Sequence, residues 1–369
     1  MKRNHCILYV VLLCCLFLSW VGITLYQPPL PQPITEGTDV LPMQQVMRFS
    51  SDDILPNCCK FSPDGGHIYV APAGMRQDEV AIVDVASGKE VSRVRGSPNQ
   101  IEHTSFIILA PSPDGRYLYL SGSGPYIRRF DVTSGGSILF PLTCLPSNKT
   151  LGAMTLSQDG SFLYAVPNYG EQMIKMDTKT GQQSIILDLD KQSNGNPTGI
   201  AHTLIRRFAI NSCMDKIAFE NDAKVFILDI PSQTKTLINA TYPAFLSIRS
   251  DVLIVCYHKH ISSYTINNKQ LGDIAGNYVD YQLQTTGIAD CGSIDSSGRW
   301  AVVGISKDHR VNSVVNLIDL TKGETRSSFE CGKAGFMFAE ISGDASHIAT
   351  LCSNRELNIY NSSSLTSDR

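Results

Sequence analysis

From residue 44 onward, apolar positions fall in short runs that alternate with polar ones, and clusters of Ser, Pro, Asp and Gly interrupt them. Alternation with a period of two predicts half-buried β-strands, and the interruptions predict tight turns. Examples of the runs are Ile68-Tyr69-Val70, Tyr117-Leu118-Tyr119-Leu120, Phe162-Leu163-Tyr164-Ala165-Val166, Lys216-Ile217-Ala218-Phe219 and Trp300-Ala301-Val302-Val303. No helical period competes with them, so the region reads as all-β.

The interruptions repeat. Phe61-Ser62-Pro63-Asp64-Gly65 returns as Pro111-Ser112-Pro113-Asp114-Gly115 and Leu156-Ser157-Gln158-Asp159-Gly160, at intervals of 50 and 45 residues. Weaker copies stand at 211–215, 295–298 and 342–344, with a degenerate one near 249–251, which makes seven. Proline presets φ for the second position, aspartate tolerates the third and glycine accepts a left-handed conformation, so each copy is expected to close a hairpin. A second alternating run in many repeats ends at a recurring aspartate and turn: Asp84-Val85-Ala86-Ser87-Gly88, Asp131 to Gly135, Asp177 to Gly181 and Asp319 to Gly323. The recurrence assigns Asp84, Asp131, Asp177 and Asp319 to turn stabilisation. Four strands per repeat of about 45 residues is the size of a propeller blade. The expected architecture is a seven-bladed β-propeller of four-stranded blades over residues 44–361. The last repeat supplies three strands, and Gln45–Phe49 is expected to complete it, so that the two ends of the domain close one sheet.

These turns resemble those of the YVTN and WD40-like repeat β-propeller superfamily, whose members share the Ser-Pro-Asp-Gly and Asp-x-x-Ser/Thr-Gly turns. The chain departs from the classical WD40 signature, since its two tryptophans are Trp20 and Trp300 and no Gly-His…Trp-Asp pair occurs. The resemblance implies a scaffold fold that hosts both binding proteins and several enzyme classes.

The N-terminus has a different pattern. After Lys2 and Arg3, the 19 residues Ile7–Leu25 carry no charge, enough for one transmembrane helix at 7–26. The apolar stretch is longer than a usual signal-peptide core and lacks a small-x-small cleavage site, so an uncleaved signal anchor is preferred over a cleaved secretion signal. No Lys or Arg follows until Arg48, which keeps residues 1–6 cytosolic and the propeller lumenal or extracellular. Residues 27–43 hold five prolines and read as an extended linker; residues 362–369 read as a C-terminal tail. Asn148, Asn239 and Asn361 head Asn-x-Ser/Thr triplets and are candidate glycosylation sites. Eight of the 11 cysteines lie beyond the span, an even number that permits disulfides or, equally, buried thiols.

Composition excludes little else. Hydrophobic residues at 43% and charged residues at 18% indicate a packed domain, and a net charge of -3 without a basic run past the N-terminus argues against nucleic acid as a partner. His-Glu-x-x-His, Cys-x-x-Cys, Walker, Gly-x-Ser-x-Gly and Gly-x-Gly-x-x-Gly motifs are missing, so no catalytic residue, metal ligand or cofactor is assigned. His258-Lys259-His260 has metal-like spacing without further ligands, and Cys58-Cys59 reads as packed rather than redox-active. Propellers collect recognition residues on the rim formed by blade-to-blade loops and the loops between second and third strands. On that rim the sequence places Arg76, Asp78, Tyr169, Glu171, Asp222, Asp308, His309, Arg310 and Arg355, with insertions at 188–205 and 275–287. The expected function is a non-catalytic, membrane-anchored scaffold for a protein or peptide ligand. The alternative is a lactonase-like propeller hydrolase or lyase with a cation at the axial mouth.

Overall fold

Short alternating runs joined by four-residue turns fold back on themselves as antiparallel ladders, and the chain does so seven times. The computed structural model describes residues 44–49, 55–73, 79–95, 106–122, 124–145, 150–167, 172–188, 205–211, 213–221, 223–241, 243–249, 252–257, 260–266, 279–282, 287–307, 312–330, 336–352 and 356–366. Their strands form seven four-stranded sheets, each in meander order. Blades one to six span 55–95, 106–141, 151–188, 205–241, 243–282 and 288–330. Blade seven joins Phe336–Ile341, His347–Cys352 and Leu357–Asn361 to Gln44–Phe49, which pairs antiparallel with Leu357–Asn361 and becomes the outer strand. The inner strands touch in a closed cycle, blade seven meeting blade one, so they surround an axis.

Strand alternation explains the packing. In the second strand of blade one, Ile68 and Val70 are buried against Ala349, Leu351, Leu357 and Ile359 of blade seven, whereas Tyr69 and Ala71 are buried against Leu109, Leu118 and Leu120 of blade two. Each blade thus uses both faces, and no blade can bury itself alone. The outer strands carry the exposed residues, as in Glu90, Val91 and Ser92.

In six blades the first turn is a polar knot. Ser62 Oγ donates to Asp64 Oδ1 at 2.5 Å and accepts the His67 N–H at 2.9 Å. The pairs Ser112–Asp114, Ser157–Asp159 and Ser342–Asp344 repeat it at 2.5–2.6 Å. In blade four, Asn211 Oδ1 accepts the Lys216 N–H at 2.9 Å. In blade six the roles exchange: Asp295 accepts from both Ser297 Oγ and the Trp300 N–H. The aspartates at the end of the third strands cap the second turn as expected: Asp84, Asp131 and Asp177 accept the backbone N–H of Ser87, Ser134 and Thr180 at 2.7–2.9 Å, and Asp319 accepts that of Thr321 at 3.0 Å. Asp229 does the same for Ser232 in blade four. The two turns of a blade lie side by side, since the Val85 N–H donates to Gly66 O and the Val132 N–H to Arg116 O. Blades one, two, three, four and six each present both turns at the same end, here called the turn face.

Three sequence readings change. Val279–Gln282, within the insertion expected at 275–287, is the outer strand of blade five and pairs with His260–Ser263. The closing strand begins at Gln44. Residues 363–366 of the expected tail form a helical turn whose Leu365 is buried with Trp300, Ile341 and Tyr360. The span expected at 7–26 and the linker lie outside the described residues, among which no helix is long and apolar enough to cross a membrane.

Candidate functional site

Two positions before the first turn, each inner strand contributes one residue to the axial channel: Lys60, Ala110, Thr155, Ala209, Ser247, Ser293 and Glu340. Five of these are small, which leaves the turn-face end of the channel open as two adjoining hollows of about 370 and 590 Å³. The other two are an ion pair. Lys60 Nζ lies 3.0 Å from Glu340 Oε2, with the ammonium also over the Phe338 ring at 5.1 Å. Burial pushes the Glu340 carboxyl above its ordinary value and the Lys60 charge opposes this; burial works against the Lys60 ammonium, but the Glu340 carboxylate holds it above the usual lysine range. The pair joins the first blade to the last. In blade four, two positions before Ala209, Arg207 reaches the buried Glu220 at 2.8 Å.

A third hollow, of about 590 Å³, opens on the turn face between blades one and two. Tyr69, Ile82 and Val132 form its apolar interior, and Asp64 and Asp114 stand at its mouth.

The nine expected rim residues, Arg76, Asp78, Tyr169, Glu171, Asp222, Asp308, His309, Arg310 and Arg355, all lie outside the described residues, as does 189–204. The described strands that flank their loops end opposite the turn face. Among the described residues the concavities therefore lie on the face that the sequence reading did not favour. Their signal was present in the repeat, because small residues hold the channel position in five of the seven blades.

The remaining candidates separate clearly. Cys58 and Cys59 point to opposite faces of their strand, one toward blade two and the other toward blade seven. Burial raises the Cys58 thiol to about 11 and the Cys59 thiol well above its ordinary value, which disfavours the thiolate that redox chemistry needs. Among the described residues seven cysteines are free thiols. His258 and Lys259 lie outside the described residues, and His260 stacks on Tyr257 with ring centroids 5.5 Å apart. Among the described residues no three His, Cys, Asp or Glu side chains converge as a metal site would require. Asn361 is exposed, and its Oδ1 accepts the Ser363 N–H at 2.9 Å. Asn239 lies in the outer strand of blade four, and Asn148 is outside the described residues.

No protein-family model and no curated protein matches the sequence. Among solved structures, the β-propeller domain of Myceliophteria thermophila Cps50 (Swd1) is similar, with a TM-score of 0.67 over 87% of this chain and 99% of that one, at 13% identity. The chain is a seven-bladed β-propeller. At that identity the likeness concerns the fold alone, and the fold is the one the turn motifs implied.

Proposed function

We propose that this propeller is a non-catalytic scaffold that binds a protein or peptide, held at a membrane by residues 7–26 with its blades on the lumenal or extracellular side. The observation that carries the binding reading is the turn face, where a rigid ring of hairpins surrounds an axial funnel of small and polar side chains beside a separate apolar hollow. Propellers bind at such concavities, and rigidity there limits the ordering cost of association. The channel charge is a self-neutralised Lys60–Glu340 pair, which suits recognition of polar groups better than coordination of a cation. The similar Cps50 (Swd1) domain is consistent with a scaffold role through its fold. The anchor and its orientation rest on the uncharged segment after Lys2 and Arg3.

The test uses the full chain in eukaryotic cells. Carbonate extraction and N-glycosidase treatment are expected to leave the protein in the membrane pellet and shift its mobility, and cell-surface or lumenal crosslinking is expected to recover a defined partner. Extraction into the supernatant without a glycan shift overturns the topology. Turnover of a substrate by the purified protein, with no partner recovered, overturns the scaffold reading.

A further inference from the structure

Where blades two and three meet, side chains occupy the place that corresponds to the hollow between blades one and two, and the repeat shows why. In blade two, Arg129 lies over the Tyr117 ring at 4.6 Å and the Phe140 ring at 5.5 Å, and its Nη1 donates to Thr178 O of blade three at 2.7 Å. Gln183 adds a second crossing by donating to Pro141 O at 2.6 Å. Counting from the aspartate that ends each third strand, Ile82 takes the place of Arg129; counting from the first turn, His67 takes the place of Tyr117. Val94, paired with Val80, takes the place of Phe140, paired with Ile127. The three filling side chains are replaced by shorter ones, and the cleft they would occupy stays open with an apolar interior. In blade three, Lys175 sits over the Phe162 ring at 3.6 Å in the positions of Arg129 and Tyr117, so a cation over an aromatic ring fills these positions in blades two and three.

The mouth carries one sign of charge. Asp64 and Asp114 are exposed on its two sides, and the lining includes no Lys or Arg. In both carboxylates the serine and backbone donors engage Oδ1, leaving Oδ2 available to a ligand. Bonds from Ser62 and Ser112 hold the two acids below the ordinary aspartate range. Val91, 56% exposed, adds apolar surface at the entrance. The volume falls within the range of ligand pockets.

Resting on the scaffold reading above, we infer that this cleft receives an extended segment of a partner protein that inserts an apolar side chain between Tyr69, Ile82 and Val132 and sets a neighbouring Lys or Arg against Asp64 and Asp114. The ligand would supply in trans what Arg129 supplies in cis one blade later, a cation beside packed apolar surface. The charge excludes the chain's own linker as occupant, since residues 27–43 contain Glu36 and Asp39 and no Lys or Arg.

A random ten-residue peptide display library, selected on the full-length protein in detergent micelles, tests this. Peptides pairing Leu, Met or Phe with an adjacent Lys or Arg are expected to be enriched. Their affinity is expected to fall about tenfold in Ile82→Arg, which fills the cleft as blade two does, and severalfold in Asp64→Asn/Asp114→Asn. Val91→Arg at the exposed entrance is a second variant that leaves the interior intact, and it should weaken the same peptides. Enrichment of acidic peptides, no enrichment, or binding unaffected by Ile82→Arg and Val91→Arg overturns the proposal. Crosslinked partners recovered from cells at equal yield with wild type and Val91→Arg would remove the cleft and leave the scaffold reading standing.

Discussion

At the fourth position of the first turn the backbone enters the left-handed region in every blade where this turn is described, and glycine holds it in four of them: Gly65, Gly115, Gly160 and Gly298. Met214 and Ala345 occupy the same position in blades four and seven at φ of 58°. A side chain there costs roughly 1–2 kcal/mol, against which glycine loses about 0.5–1 kcal/mol of unfolded-state entropy. Met214→Gly is therefore expected to stabilise the protein by about 0.5–1 kcal/mol in urea denaturation. Ala345→Gly gains nothing by the same reasoning, because the Ala345 methyl is buried with Ile341 and Ile348 and its burial is worth about 0.8 kcal/mol. The aspartates of the two turns set the response to acid. Hydrogen bonds from Ser157 and Ser161 hold Asp159 at about 2, and those from Ser232 and Lys216 hold Asp229 at about 2. Folded carboxyls below their unfolded value near 4 make the unfolded chain the better proton acceptor, so stability rises with pH. This contribution is complete above the unfolded value and is lost as pH falls toward about 2. Thermal midpoints measured across that interval should fall steeply in the wild type and less steeply in Asp159→Asn.

At the scale of strands, the domain is closed by Gln44–Phe49, whose ladder to Leu357–Asn361 is the sole hydrogen-bonded tie between the first strand and the rest of its sheet. Removing residues 1–43 should leave the unfolding midpoint unchanged. Removing residues 1–50 bares the backbone edge of Leu357–Asn361, and that chain is expected to aggregate on size exclusion. The closure was legible in the sequence because the last repeat was one strand short, and six blades were legible because their turns need particular residues to close. Blade five was the weakest, since the ladder of its first two strands runs to Arg249 paired with Val252, which leaves two residues between the strands and no room for the Ser-Pro-Asp-Gly motif. Its outer strand, Val279–Gln282, follows the unusually long connection 267–278, and the regular spacing that identified the other strands fails there. The cleft between blades one and two depends on what Ile82, His67 and Val94 do not fill. Only a position-by-position comparison of repeats exposes it.

The ring as a whole brings together residues that chain distance hides. Lys60 and Glu340 belong to the first and last inner strands, and neither has a local pattern that marks it as paired; only closure of seven blades sets them 3.0 Å apart. Their side chains are 35% and 13% exposed, so the pair sits between a surface bridge, which contributes little, and a buried one, whose rupture costs about 3–5 kcal/mol. Lys60→Met strands the more buried carboxylate and should cost roughly 1–3 kcal/mol, the desolvation of an unmatched group. Glu340→Gln leaves an ammonium that is one-third exposed and better hydrated, and should cost less. With both changes no charge is left unpaired, so the double variant should be more stable than Lys60→Met alone. A double-mutant cycle by urea denaturation measures the coupling. A coupling near zero would mean that the backbone ladder of the closing strand alone sets the seam; a coupling above about 1 kcal/mol would mean that channel charge and ring closure stabilise one another. In the second case, a ligand that enters the channel and competes for Glu340 would loosen the junction of blades seven and one.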